Sequence, residues 1–582
     1  MRKSGIIVLG MVLGLFMWCA DARAEFALYN DVHYTIDAVN RTAEVADNTK
    51  SAAVTAAESK LRLPDEIVVG QKTYRVTGIA ENAFKGCKNL TEVVLPTGLE
   101  YVSRSAFEAT GIWLNKANWR DGALFIDSCL IATDKSVKPK YVVPASTRLI
   151  ASGAFRGNKT LTRVELPTTL KRVDNDLFRD CKNLTKVVIP ASVEWIGQDA
   201  FAGCGIWQNE KKWKKGTLYI DGCLIAVNKD APAKFVFKDK IPTRLIAAGA
   251  FRGAKQIKTV TIPEGIKTIP VACFYQCAAL TEVVIPQSVT RVEHFAFAGC
   301  ELLKSATLPA SLEYLGARVF YQCRNLKQQT LSDNLTGLQT ACFYLCTSLS
   351  NIELPSRLTY IGDGVFAGCS GLEEPALPAT LEYIGEQAFA GCSRLRNLAF
   401  PANVTTIKKG AYADCTHIWQ VTLPEGLYAI DDETFKNCIS LERITLPKSL
   451  FRIGKGAFEN CQELLGIMIP ENVHGIENEA FMGCKKLYEI QLPPHLKTIS
   501  SGMFANCIGL QKVYLTNTRE NPLETIEDGA FFGCRQLREF DFPHTLKSIG
   551  TDAFNGCQYI SAPAFDASVT IGKNAFKNTK TK

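Results

Sequence analysis

Histidine is scarce in this 582-residue chain, 6 residues against 66 lysines and arginines and 58 acidic residues, and acid–base and metal sites lean on histidine. Long apolar runs are scarcer still. The single run, Ile6 to Trp18, is shorter than the roughly 20 residues a spanning helix needs, so no transmembrane span is expected after it. Charge of one sign is not in excess either. The formal net charge is +8, and over this length it is too diffuse to indicate nucleic acid or another polyanion as partner. Walker loops, dinucleotide fingerprints and nucleophile elbows are all missing. The reading is therefore a chain with no catalytic residues, no cofactor and no metal. With 47% apolar and 21% charged residues it is not a disordered one.

Arg2 and Lys3 precede the apolar run, and Ala22-Arg23-Ala24 puts small residues where a signal peptidase reads them, so residues 1-24 are expected to be a signal peptide. An acylated Cys19 is the weaker reading, because Phe16-Met17-Trp18 places bulky side chains where a lipobox wants small ones. The expected location is secreted or at the cell surface.

What the chain has is a period. One aromatic recurs at Phe84, Phe107, Phe155, Phe178, Phe201, Phe251, Phe274 and onward to Phe504, Phe531, Phe554 and Phe576, with Tyr412 in one place. Fifteen of the nineteen intervals are 23 residues, and from Phe251 to Phe504 the spacing never varies. Ordinary globular domains do not repeat in this way; the chain is one array.

Each unit pairs a segment such as Ile196-Gly197-Gln198-Asp199-Ala200-Phe201-Ala202-Gly203-Cys204 with one such as Leu280-Thr281-Glu282-Val283-Val284-Ile285-Pro286. The apolar alternation of the second segment predicts a short strand ended by Pro286, which has no N–H to donate. The first segment has the length of one helical turn, with glycine available to stop it. A unit this small cannot bury its own aromatic, so neighbouring coils must cover one another. Truncating a ladder residue such as Phe366 to alanine is expected to cost about 3–5 kcal/mol and to unzip the adjacent coils.

These residues resemble the leucine-rich repeats of the BspA-like bacterial surface antigens, whose pattern is nearly reproduced at Ile384 to Leu398. The resemblance covers about residues 75-578. It implies a leucine-rich-repeat solenoid, a β-α superhelix of about 20 coils with parallel strands stacked along one face and short helical turns opposite. It also implies an exported, non-enzymatic protein that adheres to extracellular or host surface proteins. Structural organisation of the envelope and glycan binding are the alternatives.

The expected plan is a cap over 25-61, the solenoid over 62-578 and a polar tail at 579-582. Two stretched intervals hold inserts near 111-136 and 205-234 that duplicate one another at an offset of 94. Trp113 matches Trp207, Trp119 matches Trp213 and Gly122 matches Gly216. Each reads as a hairpin projecting from the solenoid. A third break, around Thr516 to Pro522, reads as a loop.

Sixteen of the 21 cysteines stand three residues after a ladder aromatic, thirteen of them in an unbroken run from Cys277 to Cys557. Stacked side chains point alike, so buried free thiols are expected rather than disulfides. Cys129 and Cys223 hang from coils too far apart to bond directly. The histidines share no repeat phase, and paired carboxylates such as Asp431-Asp432 and Glu373-Glu374 read as solvated charge rather than catalytic acids. Candidate partner-binding residues are Trp113, Trp119, Trp207 and Trp213 with Lys211, Lys212, Lys214 and Lys215 on the inserts. Gln420, Thr422, Arg443 and Tyr514 are candidates on the exposed strand face. Extracellular proteins are the expected partners, with glycans if the insert tryptophans stand exposed.

Overall fold

A computed structural model describes residues 25-37, 41-49, 60-237, 242-515 and 521-580; the expected signal peptide and most of the third break lie outside them. The chain forms a β-solenoid of about 21 turns. Glu282–Val284 pairs in parallel with Ser305–Thr307, the strand one period on, and Val283 is buried between two exposed neighbours. This first ladder is the one the apolar alternation marks.

A second ladder was not anticipated. Two-residue strands six and five residues before most of the aromatics, such as Arg291–Val292 and Tyr314–Leu315, also pair in parallel, with the second residue buried in both of these. The apolar residue of each pair points into the core, while the other lies on a separate face of the coil.

The helical turns expected opposite the strands are not helices, apart from the 3-10 turn Arg104–Phe107. The only α-helical turns among the described residues, Gly111–Leu114 and Gly205–Gln208, belong to the inserts. Phe274 shows why. Its N–H reaches across to Ala296 O of the next coil at 2.7 Å, and is therefore unavailable for a helical bond. Ala272 and Gln276, two residues before and after it, adopt left-handed φ of 52° and 58°, which a right-handed helix cannot contain.

The aromatic ladder is the core. Phe274 and Phe297 stack at 5.2 Å and 3°, and Phe297 and Phe320 at 5.5 Å and 7°. Beside it, each of the thirteen cysteines from Cys277 to Cys557 that stand three residues after a ladder aromatic is buried and donates its S–H to the carbonyl of the preceding coil's aromatic. Pro375 occupies the middle of a first-ladder segment, where an N–H is needed, and that coil has no first-ladder strand.

At the N-terminus Glu25–Tyr29, Val32–Asp37 and Thr42–Val45 form an antiparallel meander, and Thr42–Val45 lies parallel to Lys72–Ile79. The hairpin Glu66–Val69 and Lys72–Ile79 belongs to the same sheet, which therefore extends beyond residue 61.

The inserts are hairpins, but they do not simply project. Cys129–Thr133 is buried along its length and pairs in parallel with Leu149–Ile150, so the inner strand is built into the solenoid wall; Cys223–Val227 does the same with Leu245–Ile246.

Candidate functional site

The residue of the second ladder that faces away from the core varies along the chain in an informative way. In the first two thirds it includes Tyr101, Arg172, Trp195, Arg291, Tyr314, Tyr360 and Tyr383; further on it is Thr406, Ala429, Gly475, Thr498, Thr525 and Ser548, with Arg452 the exception. These large side chains line a groove of about 1480 Å³ that runs from the cap strands to Lys408.

The side chains are pre-ordered by one another. The Arg172 guanidinium lies 4.0 Å over the Trp195 ring, and that of Arg291 lies 4.1 Å over Tyr314. Tyr360 and Tyr383 stack at 5.0 Å. Equal phase and a 23-residue repeat bring each pair into adjacent coils. The outward face of the groove is thus a row of guanidinium edges, phenol hydroxyls and carboxylates.

At the cap end the Tyr101 ring crosses over Gly78, where any β-carbon would stand 2.1 Å from Tyr101 Cζ. Tyr101 meets Glu44 of the cap, whose carboxyl is pushed up by burial and pulled partly back by that hydrogen bond. Asp174, 4% exposed, accepts from Arg172 Nη2 at 3.3 Å, and burial still holds its carboxyl above the ordinary range. Further along, the Ala317 N–H donates to His294 Nδ1 at 2.9 Å, which leaves Nε2 beside the Tyr314 hydroxyl at 3.3 Å. Burial lowers the His294 pKa, with Glu293 and Asp37 of the cap acting in the opposite sense. Asp37 and His294 are far apart in sequence, so the cap faces the groove as well as closing the array.

The candidates taken from the sequence lie elsewhere. Gln420, Thr422, Arg443 and Tyr514 are exposed on the first ladder. Lys211, Lys212, Lys214 and Lys215 are exposed on the second insert. The four tryptophans are half-buried and pack against the core. Trp113 and Trp119 meet edge to face at 5.2 Å, as do Trp207 and Trp213, and the indole N–H of Trp119 and of Trp213 is bonded to the main chain. Little ring face is left for a sugar to stack on. Asp431 and Asp432 belong to an ion-pair network around Arg452, which also binds Glu477.

Two histidines that share no phase do meet. His474 and His495 stack at 4.7 Å at the end of an exposed column, Tyr428–Phe451–His474, because His495 leans in from two residues away. Phase counting missed the pair through that offset. It missed the groove because only one strand per coil was expected; the recurrence of Tyr, Trp and Arg six residues before the ladder aromatic was the available signal. No group of three or more metal-ligating side chains is assembled among the described residues, and no helix among them is long and apolar enough to cross a membrane.

Two parallel strand ladders, a stacked aromatic spine and a 23-residue unit define a leucine-rich-repeat solenoid. The chain belongs to the BspA type leucine rich repeat family, whose model matches residues 71–137, 134–215, 233–350, 338–465, 406–522 and 452–582. No curated protein matches it. Among solved structures it is similar to a leucine-rich repeat protein from Bacteroides ovatus, 21% identical with 86% of this chain and 94% of that one covered and a TM-score of 0.36. One from Eubacterium ventriosum is 23% identical, covering 62% and 91%, with a TM-score of 0.38. A leucine rich cell surface protein from Faecalibacterium prausnitzii is 18% identical, covering 85% and 96%, with a TM-score of 0.26.

Proposed function

We propose that this is a non-enzymatic binding protein of the cell surface or extracellular space, which adheres to extracellular proteins such as host matrix or cell-surface proteins along the groove. The observation that supports the reading is the concentration of Tyr, Trp and Arg at the outward second-ladder position in the first two thirds of the array, where later coils, Arg452 apart, carry small residues. Ladder packing does not require them, since later coils stack with Thr, Ser or Gly at the same position. These three residue types also dominate the energetics of protein interfaces. The exposed first-ladder residues Gln420, Thr422, Arg443 and Tyr514 offer a second, more polar contact face.

The test is binding of purified residues 25-582 to a panel of matrix proteins and host cells, beside a variant with Tyr314, Tyr360 and Tyr383 changed to serine. Saturable binding that weakens by about a thousandfold in the variant is expected if two of these residues are hot spots of about 2 kcal/mol each. Binding to nothing in the panel, or binding that the variant leaves intact, overturns the groove as the site of adhesion.

A further inference from the structure

The two inserts serve as controls for each other. Their frames coincide: both tryptophan pairs sit at 5.2 Å and 90°, and both indole bonds are 2.8 Å. Asp127 accepts the Leu95 N–H at 2.8 Å and Asp221 the Ile189 N–H at 2.8 Å. Gly122 and Gly216 adopt φ of 77° and 70°, each with a neighbouring main chain closer than 2.4 Å to any added β-carbon.

The surfaces do not coincide. Where the first insert has Ala117, Asn118, Arg120 and Asp121, the second has Lys211, Lys212, Lys214 and Lys215. The first insert shows that the frame forms without this run of lysines. Lys215 even occupies a left-handed φ of 48°, the conformation of its counterpart Asp121, and one that aspartate tolerates better than lysine. All four lysines are exposed. These four have no ion-pair partner among the described residues, unlike Lys171, which pairs with Glu194, and Lys547, which pairs with Glu524.

We infer that the second insert is an anion-binding patch, made by Lys211, Lys212, Lys214 and Lys215, that takes an acidic polysaccharide. Four like charges within five residues concentrate positive potential that the whole-chain net charge conceals. The partner follows from what surrounds them. Trp207 and Trp213 are half-buried against the core and the Trp213 N–H is bonded, an arrangement that favours recognition by charge over base stacking or insertion into a bilayer. Recognition by charge alone suits a soluble chain of sulfate or carboxylate groups.

The experiment measures heparin binding by the full chain against increasing salt, with dextran as the neutral control and phosphatidylserine-rich vesicles and single-stranded DNA as competing classes. One variant grafts the first insert's own residues, Lys211→Ala, Lys212→Asn and Lys215→Asp; the reciprocal variant carries Ala117→Lys, Asn118→Lys and Asp121→Lys. Heparin binding should weaken by about tenfold or more with the graft and strengthen with its reciprocal, as expected when several anion contacts are lost or gained. It should be unaffected by the three groove serines, which separates it from the adhesion proposed above. No heparin binding, binding indifferent to the graft, or tighter binding to vesicles or DNA overturns the inference.

Discussion

Cys300 Sγ donates a hydrogen bond to the carbonyl of Phe274, 3.1 Å away in the preceding coil, and that same carbonyl accepts the N–H of Cys277 at 3.0 Å. Both lone pairs of a buried oxygen are thus used, one within the coil and one between coils. Packing alone does not explain a cysteine here. Alanine would fit the space but leave the acceptor short of a partner, and serine has a shorter reach. Cys300→Ala should lower stability by about 1–3 kcal/mol through the lost bond and the small void. An unchanged melting temperature would show that the bond contributes nothing.

The same burial protects the thiols. It pushes Cys277 and Cys557 up to about 12, which leaves almost no thiolate at neutral pH. Cys87 is the partly exposed member of the ladder. Alkylation of the native protein followed by peptide mass spectrometry should label Cys87 first and the run from Cys277 to Cys557 only on unfolding. Disulfides within that run in the native protein would contradict this account.

His294 makes stability depend on pH. Its pKa in the folded chain lies below the ordinary 6.5, so between the two values the unfolded chain binds more protons and stability falls as pH falls. Each unit of lowering corresponds to about 1.4 kcal/mol. Melting curves of the wild type and His294→Gln, which keeps an acceptor for the Ala317 N–H, should converge or cross as pH drops below 6.5. Parallel curves would remove His294 from the account.

Asp221 latches the second insert to the coil before it, and Arg244 reinforces it by donating to the Ile189, Pro190 and Val193 carbonyls. Asp221→Ala should cost about 1–2 kcal/mol and raise hydrogen exchange at the Ile189 amide. Unchanged exchange there would mean that the insert is held by its inner strand alone.

Much of this fold was legible because a 23-residue spacing with Phe, Cys, Leu and Pro at set phases has few other solutions. The first-ladder strand could be read from the alternation around Val283. The second ladder shows no such alternation, since two residues such as Arg291-Val292 are too short for a period, and its one mark was the recurrence of Tyr, Trp and Arg six residues before the ladder aromatic. The helical turn was misread because Ala-Phe-x-Gly-Cys suits a helix locally, and the inter-coil bond from Phe274 to Ala296 and the left-handed Ala272 and Gln276 rule it out. The inserts were recognised as duplicates, but their buried inner strands depend on pairing with Leu149–Ile150 and Leu245–Ile246, which is a tertiary fact. The groove was hidden for the same reason, since its side chains sit on the ladder that was too short to see.

The central claim is that a partner lies on the second-ladder side of the solenoid. A photo-crosslinking amino acid placed at position 314 in one protein and 422 in another, each exposed to the matrix protein or cell that binds residues 25-582, tests it most directly. Adducts from position 314 in excess of those from 422 are predicted. Adducts from 422 with none from 314 would put the partner on the first ladder and contradict the account.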